Sequence, residues 1–112
     1  MKLRKEYTCP LELTHDIIRG KWKPIILWQL GEGYSSLANL QRDIAGIGQK
    51  MLLQHLNELQ EYGMVQKEQF EEYPLTSKGR RMLDVVISMQ EIGIELMKED
   101  GEEQFLKDKG LI

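Results

Sequence analysis

Few side chains in this sequence could act as nucleophiles or metal ligands. The single cysteine, Cys9, stands directly before Pro10, and the two histidines are His15 and His55. These residues have neither the Cys-x-x-Cys nor the His-x-x-x-His spacing of metal sites, and no nucleophile or phosphate-loop signature is present. We therefore expect no metal, no cofactor and no catalytic activity, which leaves Cys9 as the one reactive group to explain.

Cys9 has two interpretations that the sequence leaves open. Pro10 suits the first position of a helix, so Cys9 would be the N-cap, where the helix dipole favours a thiolate. Arg4 and Lys5 stand nearby in the sequence and would act in the same sense. Cys9 would then respond to oxidants or electrophiles. In the alternative interpretation, it is a small buried residue that packs at the edge of the domain.

Composition and charge predict one domain in the cytoplasm. The chain has 112 residues, which suffices for one hydrophobic core but not for two. No uncharged apolar run could span a membrane, the N-terminal residues lack the apolar core of a signal peptide, and a single cysteine forms no internal disulfide. The net charge of −3 is uneven: residues 1–81 carry 12 basic and 10 acidic side chains, and residues 82–112 carry 3 and 8. The charge of the first part is compatible with DNA as a partner.

The spacing of apolar residues predicts a mainly α-helical chain with a small β-hairpin. The predicted helices cover residues 10–20, 21–30, 37–44, 49–62, 80–97 and 102–109. In the second helix, Trp22, Ile25, Ile26 and Leu30 are expected to be buried, and Trp28 is expected in the core or at an interface. After the fourth helix the period changes to strand-like alternation, which predicts the hairpin.

The order of these elements predicts a winged helix-turn-helix. A short segment containing Gly46 and Gly48 joins the third and fourth helices, and the hairpin follows in the position of a wing. We predict a single domain over residues 1–112, with the helix-turn-helix at about 37–62, the wing at about 64–76 and C-terminal dimerisation helices at about 78–109.

The fourth helix has the residue types that read double-stranded DNA. With Leu52, Leu56 and Leu59 facing inward, its outer face consists of Lys50, Leu53, Gln54, Asn57 and Glu61, with Gln49 at the tip. Gln and Asn amides pair with adenine, Lys donates to guanine or phosphate, and an exposed Leu can contact a thymine methyl. Further candidates for DNA contacts are the basic residues Arg42, Lys67, Lys78 and Arg80. The alternative is an ordinary solvated face on an amphipathic helix.

The fifth helix predicts a homodimer. Of residues 82–97, ten of sixteen are apolar, which is more than a helix with one buried face needs. A central core helix is the alternative, but so short a chain can hardly cover it on all sides. We expect a partner copy to cover this helix together with the N-terminal helix, so that N- and C-terminal helices form the dimer. The predicted interface residues are Val86, Met89, Ile92 and Leu96. Two-fold symmetry would place the two DNA-reading helices roughly 34 Å apart, on successive major grooves.

The stretch CPLELTHDIIRGKWKPIILWQL resembles the opening of HxlR-type (MarR-like) bacterial transcription regulators, in which Cys-Pro precedes Gly-Lys-Trp and an aliphatic helix. The resemblance extends to about residue 97 through Gly46-Ile47, Lys50-Met51-Leu52, Leu56, Leu59, Gly63, Tyr73, Leu75-Thr76 and Gly79. It implies a winged-helix homodimer that binds operator DNA near the genes it controls, without a cofactor or enzymatic activity. It also implies that Cys9 matches a cysteine through which several members sense oxidants or electrophiles.

The sequence departs from this family pattern at several positions. Ser36-Leu37 stands where Arg-Phe is usual, Gly48 where Ser often caps the DNA-reading helix, and Leu53 where Thr is usual. The wing lacks a Pro-Pro stretch, and its tip carries Glu71 and Glu72, whose charges repel phosphate. The acidic wing and the low net charge motivate an alternative function, a protein-interaction module that uses the winged-helix scaffold and the acidic C-terminal part without reading DNA.

Overall fold

The computed structural model describes residues 6–33, 36–66 and 69–112. The helices of the described part are α1 (Pro10–Ile18), α2 (Trp22–Gly31), α3 (Leu37–Asp43), α4 (Gln49–Glu61), α5 (Ser77–Glu99) and α6 (Glu103–Asp108). Each corresponds to a predicted helix, with ends that differ by a few residues. In these described ranges, no helix is both long and apolar enough to cross a membrane.

The ends of α1 and α5 follow from local hydrogen bonds. The Glu12 carboxylate accepts the backbone N–H groups of Thr8, at 2.7 Å, and Cys9, at 2.8 Å, ahead of the first turn of α1. At the start of α5, the Thr76 hydroxyl accepts the backbone N–H of Gly79 at 3.0 Å. Both arrangements satisfy N–H groups that a helix leaves without partners at its start.

The core lies between α2, α3, α4 and α5. Its fully buried side chains include Ile26, Leu27, Leu40, Leu52, Leu56 and Leu59. The inward leucines of α4 are thus confirmed. Burying each such side chain stabilises the fold by about 1.5–3 kcal/mol.

The prediction for the buried face of α2 is wrong in part. Ile25, predicted to be buried, is 37% exposed, whereas Lys23 is buried together with Ile26, Leu27 and Leu30. Apolar residues occur on nearly every side of α2. Their spacing therefore does not identify which side faces the core.

The predicted β-hairpin is not confirmed as a pair of strands. In the described part of 64–76 and its surroundings, isolated antiparallel bridges join Val65 to Leu75, Gln69 to Glu72 and Ser36 to Glu72. Pro74 lies in this segment and has no N–H to donate, which interrupts a regular ladder. Lys67, a predicted DNA contact, lies outside the described residues.

A two-residue turn at Phe70 and Glu71 reverses the chain in this segment. Both residues have positive φ, 55° and 61°, and Gln69 and Glu72 exchange backbone hydrogen bonds of 3.2 and 3.1 Å across them. This is the geometry of the tight hairpin turn that glycine and asparagine usually occupy. The Glu71 carbonyl also accepts the Leu37 N–H at 2.9 Å, so the turn is attached to the start of α3.

Candidate nucleic-acid interface

The turn between α3 and α4 is held rigidly. The Gln41 side chain donates to the Ile47 carbonyl at 2.6 Å, and the side chains of Ile44 and Ile47 are buried. Gly46 supplies the positive φ of 86° that the turn requires. The direction of α4 relative to α3 is therefore fixed by packing and by a hydrogen bond.

The N-terminus of α4 is open to an anion. Gly48 is the N-cap and makes no side-chain capping bond, because it has no side chain to do so. The first N–H groups of the helix are thus left for another acceptor, and the helix dipole favours a negative charge there. A DNA phosphate is a ligand of this kind.

The outer face of α4 presents amides and an ammonium to solvent. Its exposed members within residues 49–57, called the reading face below, are Gln49, Lys50, Gln54 and Asn57. Leu53 departs from the prediction, because it is only half-exposed and packs against the core. The apolar side of α4 is wider than the three inward leucines, and Leu53 lies at its border.

Glu58 connects α4 to α2. The ammonium of the buried Lys23 forms an ion pair with the Glu58 carboxylate, and these side chains are only 4% and 16% exposed. His55 Nδ1 lies 3.8 Å from Glu58 Oε2. Burial raises the pKa of Glu58, but the Lys23 ammonium, with smaller effects of Gln54 and His55, outweighs burial, and the pKa is lowered overall.

The predicted basic contacts lie at different places. Arg42, at the end of α3, is exposed and donates to Asp43 Oδ1 through Nε at 2.9 Å. Lys78 and Arg80 are exposed in the first turn of α5. The Lys78 stem lies beside Gly63, just beyond the end of α4, which is roughly 20 Å from the N-terminus of a 13-residue helix. Lys78 therefore does not join the group at the start of α4.

Cys9 is exposed and is the N-cap of α1. The interpretation of Cys9 as a buried packing residue is therefore wrong. The N-cap position itself is confirmed, and Pro10 starts the helix as expected. Arg4 and Lys5 lie outside the described residues.

An apolar stripe on α5 faces solvent. Its members, Val85, Met89, Ile92 and Leu96, are 44–56% exposed and recur at spacings of four, three and four. Val86 does not belong to it, because its side chain is 5% exposed and lies in the core; this corrects its assignment to an interface. Sequence reasoning missed Val85, although its spacing to Met89 indicates the same face.

A groove of about 550 Å³ adjoins this α5 stripe. It lies between α2, α5 and α6, and its apolar lining includes Ile25, Trp28, Met89 and Phe105. Because Met89 belongs to both features, the groove and the α5 stripe form one continuous apolar surface.

Comparison with known proteins identifies the family to which this chain belongs. Residues 17–101 match the sequence pattern of the HxlR-like helix-turn-helix family. The chain belongs to the HxlR-like family. It is a transcriptional regulator of the helix-turn-helix type, and the resemblance noted in the sequence is confirmed.

Several known proteins are similar to this chain over most of its length. MalR of Fusobacterium mortiferum is 35% identical over 102 residues, which cover 85% of this chain and 96% of MalR. The HTH-type transcriptional regulator YybR of Bacillus subtilis is 36% identical over 91 residues, 76% of this chain and 73% of YybR. The structure of the redox regulator HypR in its reduced form aligns with a TM-score of 0.71 and 34% identity, over 85% of this chain and 99% of HypR. The mainly helical winged helix-turn-helix fold is thereby established.

Within this HxlR-like fold, the group around Glu58 is what sequence reasoning missed. Lys23 gave the only signal, a charged residue inside an otherwise apolar helix. A buried ammonium requires a carboxylate partner, but the sequence does not indicate which of the ten acidic residues before position 82 supplies it.

His55 makes the stability of the domain depend on pH. Burial is the main cause that lowers the pKa of His55, the Lys23 ammonium adds to it, and Glu58 opposes both. The unfolded chain therefore takes up this proton at higher pH than the folded chain, so stability decreases as pH falls through about 6.5. We expect a smaller free energy of unfolding in urea at about pH 5.5 than at about pH 7.5, and a smaller difference in His55→Gln. Equal pH dependence in both proteins would contradict this assignment.

Proposed function

We propose that the protein is a homodimeric regulator that binds operator DNA in the bacterial cytoplasm. Residues 1–112 act as one winged helix-turn-helix domain, and the N-terminal half of α4 enters the major groove. The observation that carries this proposal is the reading face beside an uncapped helix N-terminus, held by a rigid turn. The amides can read adenine, Lys50 can bind guanine or phosphate, and the open N–H groups can bind phosphate.

The homodimer is supported by the α5 stripe and the groove beside it. Exposed apolar surface of this extent on one side of a single chain indicates an interface. In a two-fold symmetric pair, the same surface of each chain is covered by the other. We therefore assign Met89, Ile92, Leu96 and Val85 to the subunit interface.

DNA binding can be tested with a fragment from upstream of the protein's own gene. Because bound lysines and helix N-termini displace counterions from phosphates, log K is expected to fall linearly with log salt. Lys50→Ala and Gln54→Ala are each expected to weaken specific binding by roughly 1–3 kcal/mol in fluorescence-anisotropy titrations. Lys107→Ala, which removes an exposed lysine from α6, serves as the control and should bind as wild type does.

If the protein is instead a protein-interaction module, the same titrations should show no specific DNA binding. The exposed Phe70 of the wing turn, 88% exposed, with Glu71 and Glu72 beside it suits a protein partner better than a phosphate backbone. A wild-type protein that shows no specific DNA binding even at low salt would favour an interaction module and reject the proposed function.

We further propose that Cys9 modulates DNA binding by oxidation or alkylation. Its exposure supports this, as does the likeness to HypR, for which both a reduced and an oxidised form have been solved. The chain has one cysteine, so a disulfide has to join two chains or capture a small thiol.

Treatment with diamide, peroxide or an aldehyde is expected to change DNA affinity. Coupling between two sites typically changes affinity about 5–150-fold, and dithiothreitol should reverse the diamide effect. Cys9→Ser is expected to bind DNA as the reduced wild type does and to ignore all three reagents. If Cys9→Ser responds as wild type does, Cys9 is not the sensor.

A further inference from the structure

The groove between α2, α5 and α6 has the size and lining of a binding site for a small aromatic molecule. Its volume of about 550 Å³ lies within the range of roughly 300–1,000 Å³ that ligand sites occupy. Trp22 and Trp28 of α2 and Phe105 of α6 line it, together with aliphatic side chains. Aromatic side chains pack favourably, edge to face or offset, against another planar ring.

Two ammonium groups lie beside these rings. Lys21 Nζ is 4.4 Å from the centre of the Trp22 ring, and Lys109 Nζ is 5.8 Å from the centre of the Phe105 ring. Both lysines line the groove, and within the described part of the chain neither forms an ion pair with a carboxylate. Each ammonium is therefore able to pair with an anion that enters the groove.

The carboxylate of Asp43, which also lines the groove, does not cancel these two charges. Its Oδ1 accepts a hydrogen bond from Arg42 Nε at 2.9 Å, so that Asp43 is paired with a positive charge of its own. The net charge around the groove is therefore positive. An aromatic carboxylate is complementary both to this charge and to the aromatic lining.

The proposed dimer does not need this groove to be filled by the partner. Of the lining residues in the described part of the chain, only Met89 belongs to the α5 stripe. A partner copy that covers the stripe therefore borders the groove at Met89, while the lining from α2, α6 and the turn between α3 and α4 lies beyond the stripe. Ligand sites commonly lie next to interfaces in this way.

One wall of the groove is the turn that sets the direction of α4. Ile44 and Ala45 of this turn line the groove, and the Trp22 ring lies 3.8 Å from the position that a Cβ on Gly46 would occupy. A ligand that contacts this wall binds with different affinity when the turn moves. By thermodynamic reciprocity, its binding then changes the affinity of α4 for DNA.

We infer that this groove binds an aromatic carboxylate, with the ring between the two tryptophans and Phe105 and the carboxylate at Lys21 and Lys109, and that this ligand changes the affinity for DNA. The binding site is argued from the groove alone. Its effect on DNA rests on the proposed function.

The tryptophans provide the measurement of binding, because the chain has two and both line the groove. The probe is 4-iodobenzoate, whose iodine quenches tryptophan fluorescence on contact. We expect saturable quenching of the full-length protein. The neutral analogue 4-iodobenzamide should bind about tenfold more weakly, because it cannot pair with the ammonium groups. Quenching that rises without saturation, or equal affinity for the two compounds, would overturn the inference.

The double variant Lys21→Met/Lys109→Met tests the position of the carboxylate. Its affinity for 4-iodobenzoate should fall about tenfold, whereas its affinity for 4-iodobenzamide should stay the same. Lys98→Met/Lys107→Met is the matched control, because it removes the same charge from exposed positions outside the groove, and it should bind both compounds as wild type does. An equal loss in the two double variants would indicate only attraction to the overall charge and would reject the site.

The variant Ile92→Glu distinguishes a ligand from a second copy of the chain as the occupant of the groove. Its change lies in the α5 stripe and outside the groove, so it should bind 4-iodobenzoate as tightly as the wild type does. Saturable quenching in Ile92→Glu but not in the dimeric wild type would show that the partner copy fills the groove, and would overturn the inference.

The effect on DNA is measured by titration of operator DNA with and without saturating 4-iodobenzoate. We expect the affinity of the wild type to change by about 5–150-fold, and that of Lys21→Met/Lys109→Met to stay the same at the same concentration. Unchanged affinity of the saturated wild type would overturn the inferred regulation. If the wild type binds no specific DNA at all, the proposed function fails, whereas fluorescence quenching still decides whether the groove is a binding site.

Discussion

Ile92→Glu is expected to be monomeric and to bind operator DNA about a hundredfold or more weakly than the wild type. Ile92 is 56% exposed at the centre of the α5 stripe, so the change leaves a single chain intact but puts a carboxylate into the proposed interface. Two linked DNA-binding units gain about 10²–10⁴ in affinity over one, and a monomer loses this gain. Sedimentation velocity and DNA titration on the same samples would measure both effects.

Lys98→Glu is the matched control for this prediction. It puts a carboxylate at an exposed position of α5 about 120° around the helix from Ile92, and it should remain dimeric with wild-type affinity. The interface assignment would be rejected by a monomeric wild type, or by an Ile92→Glu protein that stays dimeric and binds DNA normally.

Gly79→Ala is expected to destabilise the fold by more than about 4 kcal/mol, in the range reserved for severe backbone or core clashes. A Cβ at Gly79 would lie 1.9 Å from the carbonyl oxygen of Met64. This oxygen is fixed, because it accepts the Thr76 N–H at 3.0 Å. The start of α5 would therefore separate from the segment after α4.

Gly93→Ala, in the same helix, is expected to stabilise the fold slightly. No atom outside the local helix lies within 4 Å of a Cβ at Gly93, and alanine in a helix interior is favoured over glycine by roughly 0.5–1 kcal/mol. Thermal and urea unfolding followed by circular dichroism should show Gly93→Ala slightly stabilised and Gly79→Ala largely unfolded. Similar midpoints for the two variants would contradict the close approach at Gly79.

The sequence predicted the elements of the fold where periodicity was strong. The inward leucines of α4 recur at helical spacing on a helix with polar residues elsewhere, so both the helix and its buried side were identified. Where most positions of a helix are apolar, the sequence does not show which of two neighbouring residues faces the core, although their side chains point about 100° apart. Val85 and Val86 on α5, and Ile25 on α2, were open to misassignment for this reason.

The candidate DNA-binding site was also predictable in part. The exposed amides and lysine of α4 follow from the leucine spacing, because the opposite side of the helix is then determined. The tight turn at Phe70 and Glu71 could not be predicted, since neither residue favours positive φ. In the structure, the Leu37 N–H donates to the Glu71 carbonyl and attaches the turn to α3, and this contact is not visible in the local sequence. The partner of Lys23 depends on how α2 and α4 come together in space, which no local pattern encodes.

The burial of Lys23 against Glu58 has a consequence for how this family can diversify. Removing one member of a buried pair leaves the other charge unpaired at a cost of about 3–5 kcal/mol, whereas replacing both by apolar residues is often neutral. Positions 23 and 58 are therefore expected to change together among related chains. When they do, the contact between α2 and α4 becomes wholly apolar, while the exposed residues of α4 stay the same.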